Sequence, residues 1–409
     1  MENGRPTRLE RLARTLRRYG GIPGPGVVTG ASDDDPSGIA TYSVTGAQTG
    51  YQLLWTSLLT LPLNAGVQEM CARIGLVTGG GLASVLRRHY SRRLLLVLVA
   101  LLFVANTVNI GADIAAVAAG IDLLTGLPEK AVVVPVGVAI AVTEIFVPYR
   151  VFATYLKLLT LVLFAYVVDA FIAGPDWGKA VRMTFLPHIR WDAAFLTTVV
   201  AVLGTTISPY LFFWETSEEV EEMHLRRITP GDENALRRAV IDSHLGMLLA
   251  HVMFYFIVLT TAATLFPAGI HEITTAREAA EALRPLAGDH AATLFAIGFI
   301  GTGLLAIPVL AGSAAYAVAE VFDWREGLEN KPAQAPQFYA VIALSTVIGL
   351  GIALSGVGAI RALFIAAVVN GVIAPVLIAA ILVVSNDERV LGRHRNGKLS
   401  NVLGVATVA

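Results

Sequence analysis

Long apolar segments recur along the whole chain and are separated by short polar stretches. A helix needs about 20 residues to cross the hydrocarbon core of a bilayer. A further apolar run begins at Leu399, but it is too short to cross. The pattern predicts an all-α polytopic membrane protein with ten spans. They lie at about residues 23–49, 51–72, 94–120, 131–148, 151–173, 194–216, 239–266, 290–319, 337–357 and 361–385.

The first and the sixth apolar segments are each interrupted by a proline. The two interruptions read Asp33-Asp34-Asp35-Pro36-Ser37-Gly38 and Gly204-Thr205-Thr206-Ile207-Ser208-Pro209-Tyr210. Proline removes a backbone donor and clashes with the preceding turn, so both helices are expected to unwind. Unwound backbone at membrane depth is tolerated only inside protein or beside a water-filled cavity. Discontinuous helices in corresponding positions of two halves indicate the binding site of a secondary transporter.

Composition and charge agree with this interpretation. Of the 409 residues, 55% are hydrophobic and 15% are charged, against about 25% charged in soluble domains. The net charge of −1 gives no general attraction to nucleic acid. Basic residues cluster before the first span, between spans two and three, between spans six and seven, and after span ten. The positive-inside rule then places the N-terminus in the cytoplasm, and the short loops suit a bacterial inner membrane.

Five spans in each half would insert the two halves upside down relative to each other, which is the inverted-repeat arrangement. The predicted units are a cytoplasmic amphipathic segment at 1–20, a first repeat at 21–173, a second repeat at 190–385, and a final segment at 386–409. The final unit combines a cytoplasmic segment with the start of an incomplete eleventh helix.

No polar stretch is long enough for a soluble catalytic domain, and no segment resembles a phosphate-binding loop, so neither an enzyme nor a cofactor is expected. Cys71 is the only cysteine, which excludes an internal disulfide and a cysteine-based metal cluster. The expected partners are a metal ion as substrate and the lipid bilayer, without nucleic acid. The oligomeric state is not determined.

Carboxylates in the first break are candidate metal ligands. A charge at the bilayer centre costs roughly 2.5–3.5 kcal/mol, so such residues are functional candidates by default. Asp35 precedes Pro36 and Gly38, where freed carbonyls and the carboxylate offer the oxygen ligands of a hard cation. The alternative is that an aspartate caps the helix that begins at Ser37. Asp33 and Asp34 are further candidate ligands, with solvation at a helix end or cavity mouth as the alternative. Three adjacent aspartates cannot all bind one ion, so one or two of them would set the electrostatics of the pathway.

The second break offers hydroxyl and carbonyl oxygens. We expect the Thr205 carbonyl to be a ligand and Ser208 to line the cavity. The alternative is that these hydroxyls only satisfy the backbone groups that the kink frees.

Several motifs resemble the Nramp family of divalent-metal transporters. The resemblance covers nearly the whole chain and implies a LeuT-like (APC superfamily) fold, with two inverted five-helix repeats and metal bound between broken helices one and six. The motifs are Gly24-Pro25-Gly26, Asp35-Pro36, Thr45-Gly46-Ala47-Gln48-Thr49-Gly50-Tyr51, Leu54-Trp55, Ala72-Arg73-Ile74-Gly75-Leu76-Val77-Thr78-Gly79, Asn386-Asp387-Glu388-Arg389-Val390-Leu391-Gly392 and Asn396-Gly397.

Departures from the family pattern are informative about the ion. The family's Asp-Pro-Gly-Asn is Asp35-Pro36-Ser37-Gly38 here, and its Met-Pro-His is Ser208-Pro209-Tyr210. Loss of a thioether weakens the preference for softer transition metals. Mg²⁺ keeps several waters and suits a roomier site made of oxygens, which Gly38 and Ser208 would provide. The chain therefore resembles the Nramp-related magnesium transporters, a divergent branch.

The same comparison argues against proton coupling. The family's third helix carries two acidic residues, which align with Asp113 and with Ile110. Tyr210 replaces a histidine and does not titrate near neutral pH. Asp113 remains as a proton relay or as a buried carboxylate bonded to Asn109 or to another helix. Asn370, in the tenth span, is a further candidate for the pathway.

The resulting hypothesis is uncoupled alternating-access transport of Mg²⁺, or of Mn²⁺, with Asp35 as the central ligand. The close alternative is a proton-coupled importer of Mn²⁺ or Fe²⁺. A different class, an intramembrane aspartyl protease using Asp35 and Asp113, would require a Gly-x-Gly-Asp-type motif, which is absent.

Two other groups of polar residues receive structural interpretations. The glutamates from Glu215 to Glu222 are expected to form a solvated acidic helix face, with cation attraction as the alternative. His244 and His251 are expected to pack or to form hydrogen bonds, and Gln68 is expected to form a hydrogen bond between helices.

Overall fold

The computed structural model describes residues 24–147, 161–328 and 330–409, and every regular element in these ranges is helical. The predicted amphipathic segment at 1–20 and the start of the predicted fifth span, at 151–160, lie outside the described residues.

Fifteen helices of eight or more residues occur in the described ranges. They are α1 (Pro25–Asp33), α2 (Pro36–Thr49), α3 (Leu54–Thr78), α4 (Leu82–His89), α5 (Arg92–Thr125), α6 (Glu129–Phe146), α7 (Phe164–Ile172), α8 (Trp177–Phe185), α9 (Ala193–Thr206), α10 (Pro209–Arg226), α11 (Glu233–Thr264), α12 (Ala291–Phe322), α13 (Pro336–Ala353), α14 (Ala359–Asn386) and α15 (Lys398–Val408). Shorter helical turns cover Gly50–Leu53, Leu161–Leu163, Ala276–Ala280, Glu281–Leu283, Arg284–Ala287, Gly288–His290, Glu388–Leu391 and Gly392–His394.

Proline and glycine set several of the helix ends. Pro25, Pro36 and Pro209 occupy the first turns of α1, α2 and α10, where the missing N–H has no helical partner to lose. Helix α3 ends at Gly79, whose φ of 63° lies in the left-handed region that favours glycine. The proline breaks predicted in the first and the sixth spans are therefore confirmed.

Six helical segments within the described part of the chain are long and apolar enough to cross a bilayer. A seventh is counted if α7 and α8 form one broken span, which is bent by 118° between them. The other predicted spans coincide with α1 and α2, with α3 and with α6, which are short, interrupted or more polar. The total of ten spans stays a prediction. The six segments are Arg92–Thr125, Ala193–Arg226, Glu233–Thr264, Ala276–Phe322, Pro336–Ala353 and Ala359–Asn386.

The helices form two groups, one around α5 and one around α11. Helix α5 packs along α12, α13 and α14, while α11 packs along α1, α2 and α3. Helices α9 and α10 contact both groups, because α9 packs on α14 and α10 packs on α3 and α12. The two breaks are consequently held at the centre of the bundle.

The contact between α1 and α11 depends on glycine. A Cβ on Gly30 would lie 2.3 Å from the backbone of Gly246, and a Cβ on Gly246 would lie 2.1 Å from the carbonyl oxygen of Gly26. Small residues at such positions allow helix backbones to approach closely inside a membrane. Half-helix α1 is thereby pressed directly against α11.

Candidate functional site

The structure brings the two breaks into direct contact. The Ser37 and Thr205 hydroxyl oxygens are 2.8 Å apart, and the Tyr210 hydroxyl donates to the Ser32 carbonyl oxygen at 2.8 Å. Nearly two turns into α2, the Tyr42 hydroxyl lies 3.0 Å from the Thr206 hydroxyl oxygen. These hydrogen bonds hold the end of α1 and the start of α2 against the end of α9 and the start of α10.

Asp35 uses its two carboxylate oxygens differently. Oδ1 accepts from the Ser37 hydroxyl at 2.6 Å and from the Gly38 N–H at 2.8 Å, so the residue caps α2. Oδ2 has one long contact, 3.5 Å from the Tyr210 hydroxyl. The residue is only 1% exposed. The capping interpretation is therefore correct for one oxygen, and the second remains available to a ligand. Gly38 takes part through its N–H.

Asp33 and Asp34 are also buried, at 1% and 6% exposure, so solvation at a helix end does not describe them. Asp33 Oδ2 accepts from the Asn64 amide at 3.3 Å, and Oδ1 has no hydrogen-bond partner in the structure. Asn64, on α3, also donates to the Thr206 carbonyl at 2.8 Å. Sequence reasoning missed Asn64, although a polar amide two residues after Pro62 in an apolar span was a usable signal.

The second break satisfies much of its own backbone. The Ser208 hydroxyl donates to the Thr205 carbonyl at 2.8 Å and to the Gly204 carbonyl at 3.2 Å. This favours the alternative in which the hydroxyl stabilises the kink. A carbonyl oxygen has two lone pairs, so the Thr205 oxygen retains the capacity to accept one more partner.

Buried polar groups on α5 and α14 lie beside the breaks. Asp113 is fully buried, and neither of its carboxylate oxygens has a hydrogen-bond partner. The Asn109 amide donates to Asn370 Oδ1 at 2.9 Å and to the Ala105 carbonyl at 3.2 Å, so the expected bond between Asn109 and Asp113 is not formed. Asp113 is close enough to interact electrostatically with Asp35. It is thus an unpaired carboxylate near the breaks.

The donor set consists of carboxylate, hydroxyl, amide and carbonyl oxygens. No three His, Cys, Asp or Glu side chains of the described ranges are arranged to hold one metal ion. Around Asp35 the available ligands are instead one free carboxylate oxygen and uncharged oxygens from the second break. Such a set suits a hard cation that retains part of its water shell.

The expectation that the glutamates of α10 form a solvated face is wrong for two of these glutamates. Glu215 is 0% and Glu219 is 5% exposed. Because α10 packs against α1, α3 and α12, this face meets protein instead of solvent.

The other structural interpretations had mixed outcomes. His251 is buried and bonded to the Met247 carbonyl and the Thr60 hydroxyl, which confirms a packing role. Gln68 is buried without a hydrogen-bond partner, so its expected bond between helices is not formed.

Two discontinuous helices that meet at buried oxygen atoms, inside a bundle of apolar helices, are the arrangement of the LeuT-like fold class. The family model described as natural resistance-associated macrophage protein-like matches residues 26–409. The chain therefore belongs to the Nramp family.

Curated relatives agree with this assignment. The divalent metal cation transporter MntH of Acidiphilium cryptum is 29% identical over 411 residues, covering 95% of this chain and 90% of the relative. The protein of the same name from Mesorhizobium japonicum is 26% identical over 295 residues, covering 71% of this chain. That match spans only 65% of the Mesorhizobium protein.

Solved structures show the same fold. The manganese transporter of Eremococcus coleocola superposes with a TM-score of 0.77 at 18% identity, covering all of this chain and 86% of that one. Mhp1, a nucleobase-cation-symport-1 family transporter, superposes with a TM-score of 0.60 at 15% identity, covering 88% of this chain and 76% of its own. These likenesses show the fold alone.

Proposed function

We propose that this protein transports divalent metal cations by alternating access, with Asp35 as the central ligand. The observation that carries the proposal is the meeting of the two breaks around a buried carboxylate with one oxygen nearly free. None of the ion pairs formed by the described residues involves Asp33, Asp34 or Asp35, so a bound cation would supply the missing positive charge. The names of the curated relatives support the same substrate class.

We infer that Mg²⁺ is the preferred ion and Mn²⁺ a secondary one. Gly38 and Ser208 stand where the family pattern has an amide and a thioether, and the oxygens that remain are hard donors. Mg²⁺ prefers oxygen ligands and releases its waters reluctantly, so it suits a site with few direct protein ligands.

The proposed transport is uncoupled from protons. Tyr210 occupies the histidine position and uses its hydroxyl to hold the Ser32 carbonyl, while Ile110 occupies one of the two acidic positions of the third helix. Neither side chain exchanges a proton near neutral pH.

A second candidate is a proton-coupled importer of Mn²⁺ or Fe²⁺. Asp113 favours it, because a buried carboxylate without a hydrogen-bond partner is available as a relay. Asp34 and Asn370, both buried, would then line the route.

The proposed setting is the plasma membrane of a bacterium with the N-terminus in the cytoplasm. The distribution of basic residues supports this orientation. We also propose the two inverted repeats, at 21–173 and 190–385, as the units that rock against each other.

The deciding experiment measures Mg²⁺ and Mn²⁺ entry into proteoliposomes that contain a pH indicator. Asp35→Asn keeps an acceptor for the α2 cap but removes the charge, so Mg²⁺ entry is expected to fall to background. Asp192→Asn is the matched control, because Asp192 caps α9 in the same way at an exposed position. Entry without acidification supports uncoupled transport.

Three outcomes would contradict parts of the proposal. Wild-type rates in Asp35→Asn would remove Asp35 from the transport site. Entry of Mn²⁺ alone, accompanied by acidification, would identify the proton-coupled importer instead. If Mg²⁺ entry fell equally in Asp192→Asn, the loss in Asp35→Asn would be explained by a weakened helix cap and not by loss of a ligand.

A further inference from the structure

A cavity of about 200 Å³ opens beside the start of α1. We call this cavity the vestibule. It is bounded by residues from the start of α1, the end of α3, α10 and α11, and its charged lining residues are Glu219, Glu222, Arg226, Arg238 and Asp242. It is separate from the breaks, which lie at the end of α1 and at the start of α10.

Two of the three vestibule carboxylates already have partners. Asp242 accepts from the N–H groups of Gly24 and Val27, both at 3.2 Å, and so caps the start of α1. Glu222 forms an ion pair with Arg226, one turn later on α10. These two residues serve the local structure.

Glu219 is different. It lines the vestibule and is only 5% exposed, yet it forms no hydrogen bond or ion pair with any described residue. Arg238 also lines the vestibule and forms no ion pair with Glu219. A buried carboxylate is normally paired, hydrogen-bonded or coordinated to a metal. None of the residues that the structure describes supplies a positive partner for Glu219.

Glu215 connects the vestibule to the breaks. It lies one turn before Glu219 on the same face of α10. Its carboxylate accepts from the Thr29 hydroxyl at 2.5 Å and from the Ser243 hydroxyl at 2.8 Å. Thr29 lies one turn before Asp33 on α1. Carboxylates thus follow one another from Asp33, through Glu215, to Glu219.

We propose that the vestibule is a second binding station for the transported divalent cation, and that it holds the ion with its water shell, next to Glu219. The inference rests on the proposed function. The cavity has room for several waters, whereas no three carboxylates of the described chain converge to bind an ion directly. Among the described residues at and directly behind the vestibule, four carboxylates, including that of Glu215, accompany two guanidinium groups, and this balance favours a cation. In the proposed orientation the vestibule opens toward the cytoplasm.

A probe that cannot shed its ligands tests this station. Cobalt(III) hexaammine has the size and shape of a hydrated Mg²⁺ ion, and binding to the detergent-solubilised full chain is measurable by calorimetry. We expect binding to the wild type and to Asp35→Asn. In Glu219→Gln the affinity should fall about tenfold or more, because the negative charge next to the cation is lost. A tenfold fall corresponds to about 1.4 kcal/mol of binding free energy. Glu233→Gln is the matched control, because Glu233 is an exposed glutamate near the same end of α11 and is paired with Arg393.

A second measurement separates this role from a structural one. Removing an unpartnered buried charge relieves its desolvation cost, so Glu219→Gln should unfold at the same temperature as the wild type or higher. Mg²⁺ entry by the same variant should slow but not stop, because Asp35 is intact. A lower unfolding temperature would instead make Glu219 a structural residue and overturn the proposal.

The outcomes distinguish the two proposals. Equal binding of cobalt(III) hexaammine to the wild type and to Glu219→Gln, with transport lost in Asp35→Asn, overturns the vestibule station and leaves the proposed function standing. Unchanged Mg²⁺ entry in Asp35→Asn overturns the proposed site at the breaks. Hexaammine binding that depends on Glu219 would still support the station in that case.

Discussion

The two oxygens of one carboxylate have separate environments in Asp35. One is occupied by the Ser37 hydroxyl and the Gly38 N–H, while the other has a single long contact with Tyr210. A hydrogen-bonded oxygen orients the group, and the free oxygen keeps its lone pairs for a ligand. Capping and ligation, which are alternatives when only the sequence is known, are therefore compatible at this residue.

Asn64 is predicted to stabilise the junction of the breaks. Asn64→Ala leaves the Thr206 carbonyl and Asp33 without their shared donor, and a buried acceptor that loses its partner costs about 1–3 kcal/mol. We expect the free energy of unfolding in detergent to fall by about that amount, measured by denaturant or thermal titration.

Asn386→Ala is the control for Asn64→Ala, because Asn386 is exposed and bonds Asn401 near the end of α14. Its effect should stay within about 0.5 kcal/mol. If both variants lost the same stability, Asn64 would have no special role at the junction.

At the scale of the helices, the arrangement depends on half-helices whose ends are satisfied by other elements. Helix α1 begins at Pro25, where Asp242 of α11 accepts from two of its N–H groups, and ends beside Tyr210 of α10. Helix α2 is capped by Asp35 itself. Because α1 is held at both ends and lies close to α11, its movement requires hydrogen bonds to be broken on two neighbouring helices.

Gly246→Ala is predicted to force α1 away from α11. The new Cβ would lie 2.1 Å from the Gly26 carbonyl oxygen, and backbone cannot yield as a flexible side chain does. Overpacking of this kind costs typically about 1–3 kcal/mol. A fall in unfolding temperature, with faster cysteine labelling of Val27→Cys on α1 in the Gly246→Ala background, would show the displacement.

Gly351→Ala provides the matched comparison for Gly246→Ala, since Gly351 lies within α13 and a Cβ there meets nothing within 4 Å. Alanine in an open helical position should stabilise by roughly 0.5–1 kcal/mol. Equal destabilisation by both substitutions would contradict a specific contact between α1 and α11.

At the scale of the whole molecule, acidic groups gather where α10, α12 and the loop after α12 meet. Glu320 accepts from the Ser84 N–H and the Ser217 hydroxyl, and Glu221 accepts from the Tyr316 hydroxyl. Glu326 lies in the loop after α12. Burial, and then the charges of Glu320 and Glu221, raise the pKa of Glu326 to about 9.

Stability is therefore expected to depend on pH through Glu326. Because the pKa of Glu326 is higher in the folded protein than the ordinary value of 4.5, the folded state binds its proton more tightly than the unfolded state. The contribution of Glu326 to the free energy of unfolding is fully present below about pH 4.5 and is lost as the pH rises toward about 9. Glu326→Gln should flatten the fall in unfolding temperature between about pH 5 and pH 9.

Glu281→Gln is a control for Glu326→Gln, because Glu281 is largely exposed and paired with Arg284. Its pH profile should match that of the wild type. An unchanged slope in Glu326→Gln would show that other groups cause the loss of stability.

The sequence alone determined the main features of this protein. Apolar segments reveal the spans because a bilayer requires about 20 apolar residues per helix. Prolines reveal the two breaks because they cannot continue a helical ladder. The motifs of the first two helices, with the segment that begins at Asn386, were sufficient to identify the family.

Only the tertiary structure decided which polar groups are paired. Asn64 reaches Asp33 from another helix, and Ser208 turns back onto the Thr205 carbonyl. Glu219 is buried without a partner among the described residues. A local pattern shows that a helix has an acidic face, but not what that face meets. Burial and hydrogen bonding depend on how helices far apart in sequence pack together, so the solvated face expected on α10 was wrong.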